Sequence, residues 1–123
     1  MKVAREEDTI VDEAALLDAM GGDWETVHAV VRTFTRALKA YRLELSETVA
    51  RGEPKAIREV AHKLKGTLAN LRAPSARAFA EALELAAQEG RTQEFAALGA
   101  SLLSSMGAVE RVLSTERFLG SDA

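Results

Sequence analysis

Residues 23–54, DWETVHAVVRTFTRALKAYRLELSETVARGEP, decide the fold class. Apolar side chains recur at Trp24, Val27, Val31, Phe34, Leu38, Tyr41, Leu45 and Thr48 or Val49. The steps alternate between three and four almost without a break. That is the seam of a long helix in an antiparallel bundle. Asp23 is placed to cap its start. Gly52 suits its end, and Pro54 suits the first turn of the next helix.

The same reading extends outward in both directions. Upstream, VDEAALLDAMGG (11–22) predicts a short helix with Asp12 as N-cap and Gly21–Gly22 as its stop. Downstream, a third helix runs from about Pro54 to Leu71, because Pro74 forbids smooth continuation. A fourth, PSARAFAEALELAAQEG (74–90), places Ala76, Phe79, Leu83 and Ala86 or Ala87 on one face and closes at Gly90. Thr92 is placed to cap a fifth, whose stripe is Phe95, Leu98, Leu102, Met106, Val109 and Leu113. Glu6–Asp8 reads as a solvated tail, and FLGSDA (118–123) as a frayed end. Connections of a few residues make neighbouring helices antiparallel. The expected fold is all-α: an antiparallel up-down four-helix bundle with a short extra N-terminal helix over one end. A chain of 123 residues suits one domain, 1–123, with its core at about 12–113. Met1 and the short tails point to a stand-alone protein, expected as a monomer.

Composition narrows the function. With 47% hydrophobic and 28% charged residues the chain is built to fold. A formal charge of −3 argues against general nucleic-acid binding. Cysteine is absent, which removes disulfides and thiolate metal sites. The N-terminus MKVAREEDTI lacks a secretory apolar core, and no apolar run approaches the ~20 residues of a membrane span. A cytoplasmic protein without membrane attachment is expected. No P-loop or kinase nucleotide signature is present, so no ATP site and no self-contained enzyme are expected.

The third helix carries the chemistry. On a wheel of 100° per residue, Ile57, Val60, Ala61, Leu64, Leu68 and Leu71 form the core face. His62 points away from it, with Arg58, Lys65, Gly66 and Ala69 as neighbours at helical spacing. Gly66 costs about 1 kcal/mol against alanine at an exposed helical site. Its missing side chain, with Ala69 nearby, predicts a flat depression where a bulky partner could approach the ring. A neutral imidazole is nucleophilic near neutral pH. Lys65 offers a positive charge to a phosphorylated ring. Residues 53–72 hold Lys55, Arg58, Lys63, Lys65 and Arg72 against Glu53 and Glu59, a surface suited to an acidic partner. Lys63 projects away from His62 and reads as solvated or peripheral to docking. His28, beside the seam of the second helix, reads as a packing residue. With two histidines and no cysteine, a metal site is not expected.

The stretch AHKLKGTLANLRA (61–73) resembles the signature of histidine-containing phosphotransfer (HPt) domains. Ala61, His62, Leu64, Lys65 and Gly66 match its first part, and Asn70, Leu71 and Ala73 its second. Weaker likeness extends over about 12–113. The resemblance implies a two-component phosphorelay. His62 would accept a phosphoryl group from a receiver-domain aspartyl phosphate and pass it to another receiver. Lys65 would stabilise charge, and Gly66 would give clearance. Arg58, Lys63, Ala69 and Arg72 would lie on the docking surface. Partners would be response-regulator receivers and a hybrid histidine kinase. No cofactor is expected on this chain, and Mg²⁺ would sit on the receiver. One departure stands out: the family often has glycine where this chain has Arg72. Arginine costs about 1 kcal/mol or more in a left-handed turn, so Pro74 is expected to shape the turn differently, or the helix to end a residue away. The alternative function is a helical adaptor that docks a receiver or kinase without carrying phosphate.

Overall fold

Two aspartates set the first helices in place. A computed structural model of the protein describes residues 10–120. Helix α1 spans Glu13–Ala19, and the Asp12 carboxylate accepts a hydrogen bond from the Ala15 amide at 3.0 Å. Helix α2 spans Trp24–Arg51, and Asp23 accepts from the Glu25 amide at 3.2 Å. Helices α3 (Pro54–Asn70) and α4 (Pro74–Gln88) both open on proline, whose missing N–H would have had no helical partner there. A 3₁₀ turn at Thr92–Glu94 leads into α5 (Phe95–Leu113), and a single turn, α6, spans Glu116–Leu119. The described residues contain no strand.

Helices α2 to α5 run alternately up and down. α3 packs on α2 and α4, and α5 closes the ring against α4 and α2. Leu38, Leu45, Ile57, Leu64, Leu68, Leu83, Leu102 and Met106 are fully buried between them. Each such side chain contributes about 1.5–3 kcal/mol relative to exposure. The predicted stripes of α2, α3 and α5 all face this core, with Trp24, Phe34, Tyr41 and Leu98 at its margin.

The bundle end at the start of α2 is closed by the two short helices. The Asp12 amide donates to the Arg72 carbonyl at 2.7 Å, tying α1 to the α3–α4 corner. Arg117 pairs with Glu13, tying α6 to α1. Phe118 is 6% exposed and meets Trp24 edge-on, while the Arg117 guanidinium lies over the indole. The His28 ring donates from Nε2 to the Arg117 carbonyl at 3.0 Å. Its role is structural, as its place beside the seam predicts.

Three expectations need correction. Residues 118–120 are docked, not frayed, because Phe118 finds an aromatic seat on α2; residues 121–123 and Glu6–Asp8 lie outside the described residues. Phe79 is 36% exposed, and Ala80 takes the core position. The inward arc of α4 centres on Ala76, Ala80, Leu83 and Ala87, whose small side chains admit close packing, and Phe79 stands at its edge. Thr92 makes no capping bond. Arg91 organises that turn instead, holding Glu94 at 2.6 Å and Glu89 at 3.2 Å.

Candidate functional site

His62 lies at the midpoint of α3, directly after the buried Ala61 and two residues before the buried Leu64. Those anchors turn its side chain outward, and it is 69% exposed. Its Nδ1 lies 2.7 Å from the Oε2 of Glu84, which reaches across from α4. The other carboxylate oxygen of Glu84 sits 2.6 Å from the Lys65 ammonium. One carboxylate thus bridges the ring and the lysine one turn beyond it.

Glu84 is largely covered, at 15% exposure. Burial pushes its carboxyl up, but hydrogen bonds from Lys65 and His62, with their charges, outweigh that and hold it below the usual carboxylate range. An ionised carboxylate only accepts, so Nδ1 must carry the ring proton. In the neutral ring the lone pair then resides on Nε2, which has no hydrogen-bond partner among the described residues.

Gly66 is helical and exposed, and a Cβ built on it would meet nothing within 4 Å. The fold itself therefore does not require a glycine here. The predicted residues do not all share one depression. A groove of about 460 Å³ brings His62, Arg58 and Lys63 together with Lys55, Glu59 and Glu84. Lys63, itself exposed, lines the same groove as His62. A second depression of about 300 Å³ holds Ala69 and Arg72 with Asp12, Ala15, Ala73, Pro74 and Arg77. Gly66 and Lys65 line neither.

The corner after α3 resolves the Arg72 question. Arg72 itself takes the left-handed conformation, with φ at 56°. Its amide donates to the Ala69 carbonyl at 3.1 Å, and the Ala73 amide donates to the Leu68 carbonyl at 3.0 Å. This is the Schellman closure that normally places glycine at the left-handed site. Neither a displaced helix end nor an alternative turn set by Pro74 is present.

The Hpt domain family model matches residues 25–113. The chain belongs to the Hpt domain family. The role of such domains is histidine phosphotransfer in phosphorelays; they are carriers that work with receiver domains and kinases of two-component systems. Among solved structures, this Hpt domain is similar to histidine-containing phosphotransfer protein B (HptB) from Pseudomonas aeruginosa PAO1. The TM-score is 0.80 at 22% identity, covering 88% of this chain and 94% of that one. That likeness establishes the shared helical fold. A search of curated proteins returned no match.

Glu84 is the site residue that sequence reasoning missed. Its only signal was a carboxylate on the fourth helix, and Glu81 and Glu89 carried the same signal. No helix among the described residues is long and apolar enough to cross a membrane. Nor do three His, Asp or Glu side chains converge there on a metal position.

Proposed function

We propose that His62 is the phosphoryl carrier of this Hpt domain and that Nε2 is the reacting atom. The observation that carries the reading is the ring's geometry: a largely exposed imidazole whose Nδ1–H is held by a covered, ionised Glu84. The donor is the aspartyl phosphate of a receiver domain. The Nε2 lone pair attacks phosphorus, the bond from phosphorus to the aspartyl oxygen breaks, and the carboxylate leaves with the electron pair. The phosphorylated ring keeps its proton on Nδ1, where Glu84 offsets the positive charge. Transfer to a second receiver aspartate runs the same step backwards.

Lys65 acts as the charge stabiliser, held next to the ring through Glu84. Gly66 is clearance for the receiver, a role supported by the open space around it. Arg58, Lys63, Ala69 and Arg72 form the docking surface. Mg²⁺ and the acidic reaction pocket belong to the receiver, and this chain contributes no cofactor. The whole chain works as one cytoplasmic, monomeric module.

Purified receiver domains of the source organism, phosphorylated with acetyl phosphate and Mg²⁺, provide the test. Acid-labile phosphate should move onto the wild-type protein and not onto His62→Gln. Equal labelling of the variant would reject the assignment. Receiver binding that survives in His62→Gln, with no phosphohistidine in either protein, would establish the adaptor function instead.

A further inference from the structure

The left-handed helix ends of this protein differ in one respect. α2 closes on left-handed Gly52 and α4 on left-handed Gly90. Gly90 closes by the same pair of backbone bonds as the α3 end: its amide donates to the Ala87 carbonyl at 3.2 Å, and the Arg91 amide to the Ala86 carbonyl at 2.8 Å. At the end of α3 the site is Arg72, the single left-handed non-glycine among the described residues. An L side chain there costs about 1 kcal/mol relative to glycine. The cost falls at the corner that ends the His62 helix.

No ion pair among the described residues offsets this cost. Arg72 is exposed, and no carboxylate among the described residues pairs with it. Asp12 lines the same depression, but it accepts from the Ala15 amide as an N-cap. Arg77 lines the depression from α4, also exposed and without an ion-pair partner among the described residues. It lies two turns before Glu84 on nearly the same face of α4. Arg72 lies about 15 Å from His62 along α3. A standard interface of about 800 Å² per partner has a radius of roughly 16 Å, so a receiver centred on His62 reaches both arginines.

We infer that Arg72 and Arg77 form a two-arginine clamp for carboxylates on the receiver that docks over His62, and that Arg72 is held at the expense of stability for that purpose. This rests on the phosphotransfer reading above and adds to it a specificity site at the far edge of the face. Charge complementarity selects the occupant. Lys55, Arg58 and Lys63 flank His62 on one side, Arg72 and Arg77 lie on the other, and all five lack ion-pair partners among the described residues. The chain as a whole is acidic, at −3. Paired guanidinium forks match carboxylates, and edge charges act mainly on encounter rate.

The test sets stability against transfer. The probe is the phosphorylated receiver that labels the wild-type protein fastest, used at sub-saturating concentration. Arg72→Gly should melt at or above the wild-type temperature and yet be labelled about threefold to tenfold more slowly at low salt. Arg77→Ala, which leaves the corner backbone alone, should slow labelling to a similar degree. Arg72→Lys, which keeps the charge, should restore part of the rate. The gaps should narrow near 1 M salt, where charges are screened. Wild-type labelling rates in Arg72→Gly and Arg77→Ala would overturn the clamp while leaving the phosphotransfer reading in place. A lower melting temperature for Arg72→Gly would overturn the stability argument. Absence of phosphohistidine in the wild-type protein would remove the underlying reading, and the clamp with it.

Discussion

Glu84 shows how much one side chain decides here. Its carboxylate fixes the tautomer of His62 and also holds Lys65. Glu84→Gln removes the charge and keeps the shape, and phosphorylation of His62 is expected to slow by about tenfold or more. Nitrogen NMR of the ring should show the Nδ1–H tautomer losing its dominance. The same variant tests linkage. The folded carboxyl titrates below its unfolded value of about 4.3, so its stabilisation is present above that pH and vanishes as pH falls through the folded value. Urea unfolding should show a wild-type advantage over Glu84→Gln at pH 5–7 that shrinks below about pH 4.3. Gly66 behaves oppositely. Gly66→Ala should raise stability by about 1 kcal/mol, since its Cβ meets nothing. Gly66→Leu should fold and yet slow transfer, and an unchanged rate would end the clearance argument.

The pair α3 and α4 builds the site, and the short helices steady the end where that pair turns. α3 presents the imidazole, α4 supplies the carboxylate, and their corner presents Arg72. The Asp12 bond to the Arg72 carbonyl ties that corner to α1, and α1 is tied in turn to α6. α6 is only four residues long and could not persist alone. It is held by Phe118 against Trp24 and by backbone carbonyls that accept from His28 and Arg32. Phe118→Ala should therefore cost about 3 kcal/mol in urea unfolding and shift the Trp24 emission to the red. A loss below 0.5 kcal/mol would mean that α6 is only lightly attached.

At the scale of the molecule one core joins the four long helices to both short ones, from Leu16 of α1 to Phe118 of α6. A core of that kind predicts a single cooperative unfolding transition. Trp24 fluorescence and far-ultraviolet circular dichroism should give coincident curves, and separated midpoints would divide the chain into independent units. The four long helices, the stripes of α2, α3 and α5 and the outward placement of His62 were legible beforehand, because a 3.6-residue period and local caps are written in neighbouring residues. Arg72 was legible as a departure but not as a conformation. The mismatch was plain in the string, whereas the backbone that accepted it depends on how the corner closes.

Sequence alone determined the fold class, the core faces of α2, α3 and α5, and the exposed histidine with Lys65 and Gly66 beside it. Those follow from interactions within one helix, where spacing settles which residues share a face. Tertiary structure decided the rest. It chose Glu84 over Glu81 and Glu89, placed Ala80 inside and Phe79 at the surface, and seated Phe118 on Trp24. Each of these depends on the rotation and register of one element against another. Packing of the whole core sets that registration, and no local period encodes it.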